Sequence, residues 1–140
     1  PGTCMVHEMF SARSLVQLKE RHPAALILAH PECPEAVLTH ADYVGSTTGI
    51  LNHAKQSSAI EFIVATEAGI LHQMRKDCPE KTFISAPDEN GCACNACPHM
   101  RLNTLKKLYA CMRNRKPEIV LDEQLRQKAL RPILRMLEMS

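Results

Sequence analysis

The sequence has no tryptophan, only two tyrosines and three phenylalanines, and a net charge of +2 over 140 residues. Nucleic-acid bases stack on aromatic side chains and phosphates bind clustered positive charge, so this composition argues against a nucleic-acid partner. No apolar run approaches the roughly 20 residues that a membrane-spanning helix requires, and no signal peptide is visible. We therefore expect a protein that binds neither nucleic acid nor a membrane.

The chain begins with Pro1 rather than Met, so we expect it to be a piece of a longer protein. Its length is sufficient for one domain with a hydrophobic core. Its seven cysteines are odd in number and unevenly spread along the chain. This pattern suits a reducing compartment and a metal site better than a disulfide framework.

Three of the cysteines, Cys92, Cys94 and Cys97, lie close together between Gly91 and Met100. The Asp, Asn, Gly and Pro residues around them predict a loop, and Pro98 stands where a helix could begin. Thiolates on a loop are the ligands that an iron–sulfur cluster or a zinc ion requires. The run is incomplete for either, so a ligand from elsewhere completes the site or only one of these cysteines binds metal.

Short apolar runs alternate with amphipathic runs along the chain, which predicts an α/β fold with a parallel sheet and helices on both faces, a three-layer αβα arrangement. Four strands are expected: Ala25–Ala29, Tyr43–Val44, Ile60–Ala65 and Lys81–Ser85. Helices are expected at Ser11–Arg21, Pro34–His40, from Gly45–Thr48 to Gln56, at Glu67–Lys76, at Met100–Arg113, and after Asp122. Pro1–His7 is expected to be the end of a strand that enters a loop, and Ile119–Leu121 to be short and extended.

In such sheets, ligands bind at the carboxyl ends of the strands. The polar residues that follow the predicted strands are therefore expected to lie along one edge. They are Cys4, His7, His30, Glu32, Ser46, Thr47, Glu67 and the cysteine loop. Glu32 and His30 are a plausible general acid and base. Gly45-Ser46-Thr47, at a helix start, offers backbone N–H groups and hydroxyls to an anion.

Several segments together resemble the quinolinate synthase (quinolinate synthetase A) family. They are Pro1-Gly2-x-Cys4-x-Val6-His7-Glu8-x-Phe10, His30-Pro31-Glu32, Gly45-Ser46-Thr47, Ala65-Thr66-Glu67-x-Gly69, Cys97-Pro98-x-Met100 with Asn103-Thr104-Leu105, and Arg131-Pro132-Ile133-Leu134-Arg135-Met136. They run in order from the first residue to the tail, so the resemblance covers the whole chain.

The resemblance implies a pseudo-threefold protein of three similar α/β layers with a [4Fe–4S] cluster on the central axis. One cysteine of each layer would hold the cluster, which leaves one iron open. Cys4 matches the ligand of the middle layer and Cys97 that of the last layer. The first-layer ligand, and the tyrosine and other substrate residues of that layer, have no counterpart here. The chain therefore looks like the C-terminal portion of the enzyme, with residues 1–98 forming one or more αβα layers and residues 99–140 packing on the missing N-terminal layer.

The implied reaction condenses iminoaspartate with dihydroxyacetone phosphate to give quinolinate, a precursor of NAD. On this interpretation Glu32, His30 and His7 take part in catalysis, and His30, Glu32, Ser46 and Thr47 bind substrate. L-Aspartate oxidase or aspartate dehydrogenase would supply the iminoaspartate. The enzyme would be cytoplasmic, or plastid if from a plant.

Other interpretations of the residues remain open. Cys92, Cys94, Cys97 and His99 could form a small zinc-binding module without activity, although tetrahedral zinc needs four ligands and the loop is short. A Cys94–Cys97 disulfide could act as a redox switch, and this would prevent Cys97 from holding iron. The chain could also be an inert fragment whose thiols bind nothing. We interpret Cys33, Cys78 and Cys111 as core or surface thiols and leave Glu67 undecided between a structural and a functional role.

Overall fold

The computed structural model describes residues 3–90 and 95–140, which form two compact units that divide between Arg101 and Leu102. The first unit contains α1 (Met5–Glu8), α2 (Ala12–Arg21), β1 (Leu26–Ala29), α3 (Glu35–Leu38), β2 (Tyr43–Val44), α4 (Thr47–Gln56), β3 (Glu61–Ala65), α5 (Ile70–Asp77), β4 (Thr82–Ser85) and α6 (Pro98–Arg101). The second unit contains α7 (Leu105–Asn114) and α8 (Glu123–Glu138).

The four strands form one sheet in the order β2-β1-β3-β4, and every neighbouring pair is parallel. Successive side chains of a strand point to opposite faces, so a strand covered on both faces is apolar throughout. In β1, Ile27 and Ala29 belong to one core cluster, whereas Leu28 belongs to the other. The prediction of a parallel sheet with helices on both faces is confirmed.

Each face of the sheet is covered by two helices. One core joins residues of α2 and α3 to the sheet, and its fully or nearly fully buried members include Leu15, Leu18, Val37, Ile27 and Ile63. The other core joins α4 and α5 to the sheet, with Ile50, Leu71, Met74, Phe62 and Phe83. The sheet is thus anchored on both sides, and its carboxyl edge is a fixed platform for the loops that follow the strands.

Two helix starts that the sequence predicted are confirmed by their caps. The side chain of Ser11 accepts a hydrogen bond from the N–H of Ser14 at 3.3 Å, and α2 begins at Ala12. The side chain of Ser46 accepts from the N–H of Gly49 at 3.1 Å, and α4 begins at Thr47. In each case the serine pairs one of the backbone donors that the first turn leaves free.

The expectation of a strand that reaches His7 is wrong. Cys4 precedes a short helix instead, because its carbonyl oxygen accepts the N–H groups of His7 and Glu8 at 3.0 and 3.1 Å. The chain then crosses the end of β4, where Phe10 forms an antiparallel bridge with Asp88. This crossing brings α1 to the carboxyl edge of the sheet without a strand of its own in the described residues.

The second unit also departs from expectation. The predicted helix Met100–Arg113 is two helices, because Thr104 begins a new one and accepts the N–H of Lys107 at 3.3 Å. Residues 119–121, which are expected to be short and extended, belong to no helix or strand of the described residues. Along α7 and α8 no residue is buried, and apolar side chains such as Leu105 (85% exposed) are exposed to solvent.

Within the described ranges, no helix is long and apolar enough to cross a membrane.

Candidate functional site

A buried histidine lies at the centre of the carboxyl edge, between the ends of β1 and β3. Nδ1 of His7 is 3.0 Å from Oε2 of Glu32, and its Nε2 is 3.1 Å from Oγ1 of Thr66. An ionised carboxylate can only accept, so Nδ1 donates to Glu32 and Nε2 of the neutral ring accepts from the Thr66 hydroxyl. Both ring nitrogens are therefore paired, and the ring orientation is fixed.

The ring of His30 stacks on that of His7, with 4.2 Å between ring centroids and 5° between planes. Its Nδ1 accepts the backbone N–H of Glu32 at 3.3 Å, so the proton of the neutral ring is on Nε2. Burial lowers the pKa of His30, the neighbouring His7 lowers it further, and Glu32 partly opposes both. The side chain is 19% exposed. His30 is thus a neutral imidazole that a small molecule can reach.

Glu32 connects the buried histidine to the surface. Its side chain is 54% exposed, and Oε2 lies 3.0 Å from Nδ1 of His7 and 3.9 Å from Nδ1 of His30. A carboxylate in this position can exchange a proton with a ligand on its open side and with His7 on its inner side. The pair thus places a proton donor and an acceptor within hydrogen-bond distance of each other, with the carboxylate open to solvent.

Cys4 lies beside this pair. Its Sγ, a ring nitrogen of His7 and a carboxylate oxygen of Glu32 all lie within 4.8 Å of one another. Because His7 and Glu32 already bond to each other, a metal that took both would have to break their hydrogen bond, whereas the thiol of Cys4 is free and partly exposed. A soft thiolate ligand fits an iron–sulfur cluster or zinc, so the donor set here fits a thiolate-bound group beside an acid–base pair.

Among the residues that the structure describes, Cys97 is a second free and partly exposed thiol near this edge. Its backbone N–H donates to Oε1 of Glu67 at 3.2 Å, which ties the loop to the end of β3. Cys97 is not part of the close group formed by Cys4 among the described residues. Cys92 and Cys94, the other two cysteines of the loop, lie outside the described residues, so the zinc-module and disulfide hypotheses remain untested.

Cys33 differs from both. It is buried, and its thiol donates to the carbonyl oxygen of Ala65 at 3.4 Å. Burial, as the largest cause, raises the pKa of the Cys33 thiol to about 11. The thiol is therefore protonated at neutral pH, and thiolates rather than thiols bind metal. Cys78 is buried as well, so of the three cysteines interpreted as core or surface thiols, these two lie in the core and Cys111 is partly exposed.

Ser46 and Thr47 lie one strand away from the histidines, after β2, which pairs with β1. The Ser46 side chain is exposed and caps α4, and the described residues give neither side chain a hydrogen bond to His7, His30 or Glu32. The preceding Gly45 is packed closely, since a Cβ there would lie 2.7 Å from the ring of Tyr43. The structure places these residues at the expected edge but not within the histidine cluster.

Two residues of this edge were not predicted from the sequence. Thr66 is 1% exposed and pairs with His7, and Asn95 is buried with its side chain donating to the carbonyl oxygen of Ala86 at 3.0 Å. Thr66 follows directly after β3, so the same strand-end rule that singled out Glu67 could have found it. Asn95 belongs to the cysteine loop, which the same rule places at this edge, but nothing in the sequence distinguishes it from the other residues of that loop.

Comparison of the sequence with known proteins identifies relatives along its whole length. The family model described as "Quinolinate synthetase A protein" matches residues 1–138. Proteins named "Quinolinate synthase" from Microcystis aeruginosa and Rippkaea orientalis are 63% and 62% identical to the chain over 139 residues. A third, from Chloroherpeton thalassium, is 56% identical over 140 residues. Each alignment covers 99% of this chain, which spans only 43–44% of the length of these relatives.

The agreement extends along nearly the whole chain and includes the segments that carry Cys4, His7, His30, Glu32 and Cys97. Neither the family model nor the relatives leave a substantial part of the sequence unmatched. On this evidence the chain belongs to the quinolinate synthetase A family.

Proposed function

We propose that this chain forms the C-terminal portion of a quinolinate synthase, an enzyme of the transferase class that condenses iminoaspartate with dihydroxyacetone phosphate. The single observation that supports this most strongly is the cluster of Cys4, His7, His30 and Glu32 at the carboxyl edge of the sheet. It combines a free thiol with a paired acid and base in a chain that matches proteins of that name. NAD biosynthesis would then be the pathway that uses the product.

In this proposal Glu32 and the histidines move protons. Glu32 takes a proton from the substrate on its open side and is held ready by the N–H of His7 on its inner side. His30 presents its Nε2–H as a donor to a developing negative charge, since its Nδ1 is occupied by the N–H of Glu32. Condensation, enolisation and loss of water each need such a donor and acceptor, and general acid–base groups typically contribute about 10²- to 10⁴-fold to a rate.

Cys4 and Cys97 would hold a [4Fe–4S] cluster together with a third thiolate from the part of the enzyme that this chain does not span. When bound, a cluster with three protein ligands supplies one open iron as a Lewis acid for a substrate hydroxyl or carboxylate. The two thiols are free and partly exposed, so a group shared with another part of the enzyme could reach them, whereas Cys33 and Cys78 are buried.

Ser46 and Thr47 would receive an anionic group, either the phosphate of the triose or a carboxylate. They begin α4, a helix of ten residues, whose first N–H groups face an incoming anion favourably. Since β2 is the neighbour of β1, such an anion would lie next to His30 and Glu32. L-Aspartate oxidase or aspartate dehydrogenase would supply iminoaspartate in the cytoplasm.

The C-terminal residues 99–140, which include the second unit, have a different proposed role. Residues 99–140 would pack against the part of the enzyme that this chain does not span, which the relatives' greater length provides. Exposed apolar side chains along α7 and α8 support this, among them Leu105, Tyr109, Met112, Ile133 and Leu137. Apolar surface of this extent usually marks an interface.

The cluster is tested by anaerobic reconstitution with iron and sulfide. The chain is mixed with the remaining portion of the Microcystis aeruginosa relative, and iron is counted in the product. We expect about four irons per complex only when both parts are present. Cys4→Ala and Cys97→Ala should abolish binding, whereas Cys92→Ala and Cys111→Ala should not.

Zinc without iron on the chain alone would favour the small zinc-binding module instead. A full cluster on the chain alone would mean that Cys92 or Cys94 is a ligand. No metal under any of these conditions would favour an inert fragment. Turnover is then measured on the reconstituted pair, where Glu32→Gln keeps the size and one acceptor but removes the base, and should lower kcat by about 10²- to 10⁴-fold.

A further inference from the structure

We propose that Glu67 is a positioning residue that fixes the backbone at Cys97 and thereby orients the Cys97 thiolate toward the cluster. This inference rests on the proposed function for the role of Cys97. The hydrogen bonds on which it depends are a property of the chain itself, and they can be tested without any metal.

The carboxylate of Glu67 connects two segments that are distant in sequence. Its Oε2 accepts the N–H of Gly69 at 2.7 Å, and its Oε1 accepts the N–H of Cys97 at 3.2 Å. One oxygen therefore holds the carboxylate in place within its own turn, and the other holds the cysteine loop. A charged acceptor makes each of these bonds stronger than a bond between neutral groups.

A second anchor lies directly before Cys97. The carbonyl oxygen of Asn95 accepts the N–H of Ala68 at 3.0 Å, and its buried side chain donates to the carbonyl oxygen of Ala86. The loop is thus attached to the residues after β3 and to the end of β4. Glu67 makes the attachment that involves Cys97 itself, so it controls the direction in which that residue points.

Gly69 provides the space that this arrangement needs. A Cβ at position 69 would lie 2.6 Å from Oε2 of Glu67, closer than real Cβ atoms approach other heavy atoms. Any side chain at this position would displace the carboxylate, which is the mobile end of the glutamate. Gly69→Ala is therefore expected to break the bond between Glu67 and Cys97 without removing the glutamate.

Thr66, the residue before Glu67, bonds to the other segment that carries a proposed cluster ligand. Thr66 bonds to His7, three residues after Cys4, whereas Glu67 bonds to Cys97. Two consecutive residues at the end of β3 therefore contact the two segments that carry the proposed cluster ligands. A displacement of the Glu67 carboxylate would therefore move Cys97 relative to Cys4.

The first test measures hydrogen exchange of the Cys97 amide in the metal-free chain. Loss of a charged hydrogen bond should speed exchange about 10- to 100-fold in Glu67→Ala and in Gly69→Ala. Glu67→Gln fills the same volume, but its one side-chain oxygen can serve only one of the two N–H groups, so at least one amide should exchange faster. Glu80→Ala, at an exposed glutamate after α5, is the matched control and should leave Cys97 unchanged.

Exchange of the β1 and β3 amides serves as the check on folding in every variant. If one variant fails this check, the other two still give the result. Unchanged exchange at Cys97 in folded Glu67→Ala or Gly69→Ala would overturn the inference.

The second test measures how fast a chelator removes iron from the reconstituted pair. We expect folded Glu67→Ala and Gly69→Ala complexes to lose iron at least about 10-fold faster than the wild type, with Glu80→Ala unchanged. Faster amide exchange with wild-type iron retention would overturn the positioning role. If the wild-type pair binds no iron, the proposed function fails. The exchange data would then still decide whether Glu67 fixes the loop, but the role toward a cluster would be refuted.

Discussion

Replacement of Thr66 by valine tests the central contact of the site. Valine has the shape of threonine, with a methyl group in place of the hydroxyl that lies 3.1 Å from Nε2 of His7. Both residues are buried, so water cannot replace the lost hydroxyl without opening the structure. A buried polar group left without its partner costs about 1–3 kcal/mol. We therefore expect Thr66→Val to lower the free energy of unfolding by about 2 kcal/mol.

The measurement is urea unfolding of the metal-free chain, followed by far-ultraviolet circular dichroism because the chain has no tryptophan. With a slope of about 2 kcal/mol/M for a small protein, the midpoint should fall by about 1 M. Thr82→Val is the matched control, since it makes the same chemical change at an exposed position of β4. It should change the stability by less than about 0.5 kcal/mol.

A double-mutant cycle with His7→Phe separates the contribution of the hydrogen bond between Thr66 and His7 from the effect of altered packing around residue 66. If Thr66 stabilises the fold through His7, the double variant costs less than the sum of the two single variants, because both polar partners are removed together. Additive costs, or a Thr66→Val variant within about 0.5 kcal/mol of the wild type, would refute the claim that the hydroxyl serves His7.

Three further predictions concern other residues. The pKa of His30 is lowered in the folded chain, so the unfolded chain binds the proton first, and the free energy of unfolding should fall as the pH drops below 6.5 through the folded pKa. Measured by urea unfolding at several pH values in this range, the free energy of unfolding of His30→Gln should depend less on pH than that of the wild type. Equal pH dependence in the two proteins would contradict the lowered pKa. With a pKa of about 11 instead of 9.0, Cys33 should have about 100-fold less thiolate at neutral pH. Mass spectrometry should therefore show that iodoacetamide alkylates Cys33 far more slowly than Cys4. Equal alkylation rates would be inconsistent with the burial of Cys33. Gly45→Ala should lower the free energy of unfolding in urea by about 1–3 kcal/mol, because the new Cβ would meet the ring of Tyr43. In a Tyr43→Ala background most of this loss should disappear. A loss of the same size in both backgrounds would contradict the contact with the ring.

The strands were predictable because their signal is local. A run such as Ile63, Val64 and Ala65 is apolar on both faces, and this pattern distinguishes a covered parallel strand from a helix that faces water on one side. Helix starts were predictable for a similar reason, since a serine cap acts within its own turn. The boundary between α6 and α7 was missed although Thr104 is a cap, because the surrounding residues are good helix formers.

The contacts within the site were less predictable because they join distant residues. His7 and Thr66 are 59 positions apart, and the segment that carries His7 reaches this edge where Phe10 forms a bridge with Asp88, after the end of β4. Nothing in the sequence near His7 signals that bridge. The sequence does not decide between a structural and a functional role for Glu67, an acid near a predicted helix start. In the structure α5 begins at Ile70, and the second oxygen of Glu67 bonds to Cys97, 30 positions away.

The strand order decides which residues of the edge can act together. The sequence rule predicts that strand ends share one edge, but it does not say which ends are neighbours. In the order β2-β1-β3-β4, the ends of β1 and β3 are adjacent, so His30 and Glu32 lie beside Thr66. β3 is also the neighbour of β4, so Glu67 reaches the loop of Cys97.

Ser46, after β2, lies at the far end of that order. Strands in a sheet are about 4.8 Å apart, so the end of β2 is roughly 5 Å from that of β1 and roughly 10 Å from that of β3, where Glu67 holds Cys97. Under the proposed function, an anion held at Ser46 would therefore lie beside His30 and Glu32, and about one strand interval further from Cys97. Under the proposed function, a substrate that contacts all three regions would extend along the edge, with its anionic group at β2 and its reacting atoms near β1 and β3.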